Sequence, residues 1–281
     1  MGDEHSSKMN ELITGLENAA ILQEKGITDL AMKNVLKIKK QAAKNEMFTV
    51  WKMALSQELE LHYEMYKGPM EECRAYAEVL AERDEVSGKE ANYDTLKLNA
   101  HLVRKDVIEA AFSNKPGKRK RLEAIRDLPI WSDKSQALSI RARQVQLETQ
   151  VFIHHFMDDM ESQLQLIMEA LELINRYPAL ITFEEKLQLL HNHIHVCRVL
   201  GKFREGADAV ARMQNLACNS EWQRELLYAK SLVAVVPFWV QAGEYEQALA
   251  LEQEALQFSR KGKSPIACLL YTSPSPRDPN R

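Results

Sequence analysis

The chain has 281 residues, 45% hydrophobic and 27% charged, with 37 basic against 40 acidic side chains. A net charge of −3 with the two signs interspersed excludes the strongly basic face of a dedicated nucleic-acid binder. No apolar run reaches the ~18 residues of a membrane span. The polar start MGDEHSSKMN has no signal-peptide core, and the four cysteines show no CxxC pairing. A reducing, cytoplasmic setting is expected. Ala, Leu, Glu, Lys, Gln and Met dominate, all strong helix formers, and no run alternates β-branched or aromatic residues with polar ones as a strand would. The fold class is all-α.

In chain order, the apolar periodicity predicts helices near residues 8–25, 28–44, 47–67, 70–86, 92–113, 118–127, 133–157, 160–176, 183–200, 203–217, 221–242 and 244–260. Ser132 is placed to cap the helix that runs toward Met157. Thr182 with Glu185, and Ser220 with Gln223, form capping-box patterns. Pro116, Pro129 and Pro178 lie between helices, where a missing N–H costs little. Pro237 falls inside SLVAVVPFWV and predicts a kink or an earlier helix start.

The helices alternate around turn residues that recur on one register. From Gly243, a step of 42 residues back reaches Gly201, another reaches Asp159 and a third reaches Gly117. A step of 49 then reaches Gly68, and a last step of 42 reaches Gly26. Glycine suits such positions because it enters left-handed dihedrals without a Cβ clash. Asp tolerates them better than most residues. A period this long marks a repeat architecture in which each helix pair buries its apolar face on the next.

The residues after these anchors resemble the second half of tetratricopeptide repeats. That family has a turn Gly, an aromatic two later, a small residue five later and an apolar one nine later. Gly201, Phe203, Gly206 and Val210 match all four positions. Gly243, Tyr245 and Ala248 match three, with Glu252 departing. Gly26, Ala31 and Val35 match with Thr28 in place of the aromatic. Cys73, Leu122 and Leu164 stand at the small position of the weaker repeats. The 42-residue period exceeds the family's ~34 and lies in the range of HEAT and armadillo repeats. The Gly/aromatic/Ala signature favours the tetratricopeptide side, of an uncharacterised bacterial type with longer helices. The resemblance implies an α-solenoid of about six antiparallel helix pairs wound into a right-handed superhelix. It also implies a concave wall lined by the first helix of each pair.

The end of the chain, CLLYTSPSPRDPNR, breaks from everything before it and holds three of the nine prolines in its last eight residues. CLLYTSPSPRD resembles a sequencing adapter translated in one frame; the alternative is a genuine Pro/Ser tail. The chain therefore divides into a helical-repeat domain over residues 1–267 and a non-native or disordered tail over 268–281. The natural protein is expected to continue past Ala267.

Four features are candidates for chemistry or binding. In HNHIHVCR, His191 and His195 share a helix face. His193 points away from them, so three imidazoles do not converge as a catalytic zinc site requires. Counted back from Gly201 on the family pattern, Gln188, His191, His195 and Arg198 fall on the concave wall. There they form a polar partner-binding strip, with Arg198 suited to a carboxylate; the alternative is a set of ordinary half-exposed helix positions. In FIHHFMDDM, the spacing pairs His154 with Asp158 and His155 with Asp159 near a helix C-terminus. Lys115, Lys118, Arg119, Lys120 and Arg121 form the densest charge run, read as a solvated loop. Trp222, Tyr228, Phe238, Trp239 and Tyr245 cluster near the end and are expected in the core.

No phosphate-cradling loop, nucleophile elbow or metal cluster is present, so no enzymatic activity, cofactor or metal is expected. The expected role is a scaffold that holds a protein or peptide partner on its concave face, binding neither nucleic acid nor membrane. The alternative is the sensor or oligomerisation arm of a transcriptional or signalling regulator whose output domain lies beyond Ala267.

Overall fold

The computed structural model describes residues 4–66, 68, 73–112 and 117–261. Twelve α-helices account for most of these, and no strand occurs among them. The tail from Cys268 onward lies outside the described residues, as do the neighbours of Gly68. The chain forms two compact units, Met1–Ile153 with Tyr177–Leu180, and His154–Arg176 with Ile181–Arg281.

The first unit begins with α1 (Glu4–Glu24), α2 (Thr28–Lys44) and α3 (Phe48–Met65), each packed on the others. Leu12, Leu16 and Ala19 of α1 meet Ala31, Val35 and Ile38 of α2 and Val50, Ala54 and Leu61 of α3 in one buried cluster. A second face of α3 carries Phe48, Leu55 and Leu59, which close on Val79 and Val86 of α4 (Arg74–Phe112). Helix α3 is thus buried on two sides, as expected of a helix with apolar positions around most of its circumference.

Helix α4 corrects the sequence reading. Its 39 residues run without a break through the stretch where separate helices over 70–86 and 92–113 were expected. The intervening VSGKEAN contains Gly88, but a lone interior Gly costs a helix only ~1 kcal/mol, less than the packing on either side restores. After α4 come α5 (Lys118–Arg126), the single turn α6 (Pro129–Ser132) and α7 (Ile140–Phe156). Ser132 does not cap α7; it ends α6 and donates its hydroxyl back to the Leu128 carbonyl. Ser139 takes the capping role, its Oγ accepting from Ala142 N at 3.1 Å. Gln146 is fully buried and bonds the carbonyls of Ile130 and Asp133 at 2.9 and 2.8 Å, which pins α6 to α7.

The second unit holds α8 (Met160–Arg176), α9 (Phe183–Val199), α10 (Phe203–Gln214), α11 (Glu221–Ala242) and α12 (Tyr245–Lys261). Helix α9 packs against α8, α10 and α11, and α11 against α10 and α12. The Thr182/Glu185 capping box is complete in both halves. At α11, Ser220 Oγ accepts from Gln223 N, while the Gln223 amide turns to Asn219 N. Pro237 sits inside α11, which runs unbroken from Glu221. Its missing N–H leaves without a helical donor the carbonyl of Val233, an exposed residue where water can serve instead.

One turn geometry recurs in both units. Gly26, Gly201 and Gly243 have φ of 71°, 69° and 83°. In each case the next residue's N–H reaches back six positions inclusive, as in Lys202 N to Cys197 O at 2.8 Å. The same closure occurs at Glu46 and Asp158, the two non-glycine residues of positive φ among the described residues. This corrects one anchor and adds a turn that the register did not include. The left-handed residue is Asp158, not Asp159, and the α2–α3 turn at Glu46 has no glycine to announce it. Gly117, with φ 90°, precedes α5 as its N-cap.

Candidate polar strip on helix α9

The strip predicted from the sequence lies on α9 and faces α11. Gln188 is exposed, and its Oε1 accepts from Lys230 Nζ at 2.7 Å. Its amide nitrogen donates to Asn192. His191 is half-buried with Nδ1 unpartnered. Burial first, then the Lys230 ammonium and His195, push its imidazole down to about 4, against a hydrogen bond to the Lys230 backbone. His195 meets the His155 ring edge-on with centroids 5.6 Å apart. Burial, then Arg198 and His155, lower its pKa as well. Arg198 is half-buried, 3.4 Å from both Gln241 Oε1 and His195 Nδ1. Gln241 also donates to the Arg198 carbonyl at 3.3 Å.

Two permanent cations, Lys230 and Arg198, therefore flank two imidazoles. Among the described residues, neither cation has a carboxylate partner and no carboxylate acts on His191 or His195. The charges are held by neutral amide oxygens at ordinary or long distances, an arrangement that leaves their attraction for an anion uncancelled. Sequence reasoning named the α9 half and missed Lys230, Gln241 and His155. The signal was available: Lys230 stands 42 residues after Gln188, and Gln241 stands 43 after Arg198.

His193 is buried, not half-exposed, with both ring nitrogens unpartnered. Burial and then Arg212 disfavour its charged form. Cys197, buried beside it on the same helix, has its thiol pushed up to about 11 by burial and then Glu205, which makes it a packing group and not a nucleophile. The His/Asp pairing is shifted by one: His154 Nδ1 lies 3.0 Å from Asp159 Oδ2, while Asp158 occupies the turn. Asp159 Oδ1 also accepts from Ser162 N at the start of α8. Burial opposes ionisation of Asp159, but the Ser162 and His154 bonds outweigh it and hold the carboxyl below its ordinary value.

In the basic run, Arg119 pairs with Glu123 and Arg121 with Glu109, while Lys115 lies outside the described residues. The late aromatics divide. Phe238 is fully buried against Phe203 and Trp239. Tyr228 packs on Phe258 and donates to Glu254 at 2.7 Å. Trp222 and Tyr245 are exposed, so Tyr245 does not fill the packing role its place in the repeat signature implied.

The residues at the small position of the expected signature are all buried: Ala31, Gly206 and Ala248, and likewise Cys73, Leu122 and Leu164. At Gly206 an added Cβ would lie 2.7 Å from Phe238 Cζ and closer still to Cε2, so the Phe238 ring occupies the space a side chain would need.

Comparison of the chain with protein-family models, with curated proteins and with solved structures returns no match.

Proposed function

We propose that the protein is a non-catalytic scaffold of stacked helix pairs whose first-helix face holds a protein or peptide partner rich in carboxylates. The stacking part of this reading is supported within each unit by side chains that meet one period apart. Gln23 reaches Glu64, and Thr49 reaches Glu90, each 41 residues on. In the second unit Lys202 reaches Glu161 across 41 residues, and Lys230 reaches Gln188 across 42. Equivalent positions of successive repeats are neighbours in a solenoid, so contacts at the repeat length are its expected signature.

The observation that carries the binding part is the strip of Arg198, Lys230, His191 and His195 without a carboxylate, in a chain whose net charge is −3. A partner that presents aspartate or glutamate side chains supplies the missing charge, and the fork of Arg198 can exchange its long Gln241 contact for a carboxylate.

The test is a titration with a blocked tetraglutamate peptide, with blocked tetraserine as the control. Binding to the glutamate peptide alone, weakened tenfold or more by Arg198→Ala with Lys230→Ala, supports the reading. Equal response to both peptides, or no effect of the double substitution, removes the strip as the site.

A further inference from the structure

The first unit carries a groove of its own. It has a volume of about 540 Å³, with α3 as its floor and Ala20 of α1 and Arg83 and Ser87 of α4 among its walls. A cleft of several hundred Å³ is in the range of ligand sites. Its α3 residues include Thr49, Ser56, Gln57 and Glu60, spaced to share one face over about 16 Å of helix. That length accommodates about five residues of extended chain.

The hydrogen-bonding capacity of the groove is mixed. Ser56 and Ser87 donate their hydroxyl protons to the carbonyls of Lys52 and Arg83, and Thr49 donates to Glu90. Each hydroxyl oxygen is left as an acceptor. Gln57 Nε2 is a buried donor with no partner. The charges are mixed too. Around the groove, Lys39, Lys52 and Lys89 are all paired with glutamates. Arg83 and Glu60, of opposite sign and lining the same groove, pair neither with each other nor with any other described side chain.

We infer that this groove binds an extended peptide segment with one acidic and one basic side chain, the acid paired to Arg83 and the base to Glu60. The inference rests on the scaffold reading and adds a second recognition site with its own charge code. The three hydroxyl oxygens left as acceptors can receive N–H groups of a peptide backbone. A phosphate or other oxyanion would instead face three hydroxyl acceptors and the Glu60 carboxylate. Two unpaired opposite charges also fix the direction in which a segment lies.

The experiment uses fluorescent, end-blocked pentapeptides of Ala and Ser with one Asp and one Lys, in both orders, followed by anisotropy. One order should bind at least tenfold more tightly than the other and than the uncharged peptide. Arg83→Glu and Glu60→Lys should each remove that preference. The double variant R83E/E60K should prefer the reversed order, which a merely destabilised fold would not do. Circular dichroism confirms that these surface variants remain helical. Equal binding of the two orders, failure of the swap to reverse the preference, or binding of inorganic phosphate in place of peptide would each overturn the inference. Tetraglutamate binding at α9 is read separately: it should not change in R83E/E60K, and Arg198→Ala with Lys230→Ala should not alter the pentapeptide preference. A failure here therefore leaves the α9 reading standing, and the converse holds.

Discussion

Glu46 binds the start of a helix that lies 94 residues further along the chain: its two carboxylate oxygens accept from Ile140 N at 2.9 Å and Arg141 N at 2.8 Å. It does so from a left-handed backbone, φ 42°, which an L-residue enters at a cost. The first turn of α7 leaves N–H groups with no helical acceptor, and a carboxylate there also meets the positive end of the helix dipole. The strain at Glu46 is thus tied to a long-range cap.

Two substitutions separate these terms. Glu46→Gln keeps the strained backbone and weakens the cap, and should lower stability by about 1 kcal/mol. Glu46→Gly removes the cap but relieves the left-handed strain, so its effect should be close to neutral. Urea unfolding of both variants measures the difference. A Gln variant as stable as the wild type, with the Gly variant more stable than both, would mean that the cap contributes nothing.

Gly206 should tolerate no side chain while Phe238 is present. Gly206→Ala places a methyl group where the Phe238 ring lies, an overpacking expected to cost about 1–3 kcal/mol. In the Phe238→Leu background the same change should cost clearly less, because the ring edge is gone. A double-mutant cycle by thermal unfolding reads the coupling directly. Ala248→Leu should show a loss of the same order, since Ala248 is 4% exposed at the equivalent position.

These two sites show what was legible in the sequence. The positions of Ala31, Gly206 and Ala248 were readable because each lies five residues after a turn glycine, and all three are buried. The all-α class and most helix limits followed from composition and from caps such as Thr182. Glu46 was not readable, because neither its left-handed backbone nor its capping of α7 has a local sign: glutamate rarely occupies such a turn. The unbroken α4 was missed because the stretch SGKEA between the expected helices is polar and contains Gly88, whereas Val86 and Leu96 on either side of it are both fully buried. On α9 the spacing gave one wall of the strip. The opposite wall required stepping Gln188 and Arg198 forward by one period.

Lys39 ties three helices together. Its Nζ lies 2.8 Å from Glu58 Oε2 and 3.1 Å from Glu82 Oε2, and Trp51 Nε1 donates to the other Glu82 oxygen at 3.0 Å. The Glu58 side chain is only 5% exposed, so removing its cation strands a buried carboxylate. Lys39→Met should cost about 3 kcal/mol, and the pair Lys39→Met with Glu58→Leu should recover most of it. Burial alone would lower the Lys39 pKa, but the bonds to Glu58 and Glu82 overcome it and raise the value. This contribution is complete below the ordinary lysine value of ~10.4 and is lost as pH rises through the higher folded value. The wild type should therefore lose stability on an alkaline limb that Lys39→Met lacks, as measured by denaturant midpoints across that range.

His191 sets the opposite limb. Its imidazole titrates near 6.5 when unfolded and at about 4 in the fold, where burial, Lys230 and His195 resist its protonation. Between those values the unfolded chain takes up a proton that the folded chain refuses, so stability falls as pH drops through this window and is level above it. His195 and His193, also lowered, act with the same sign. His191→Gln should flatten the acid limb of the unfolding midpoint and leave the neutral region unchanged; an unaltered limb would place the proton uptake elsewhere. The same geometry links protons to partner binding. A carboxylate laid on Arg198 and Lys230 screens the charges that now repel a proton from His191 and His195. Tetraglutamate should then bind more tightly at pH 5.5 than at pH 7.5 and take up protons, seen as a buffer-dependent enthalpy in calorimetry. A strip made of the two permanent cations alone would show affinity without that uptake.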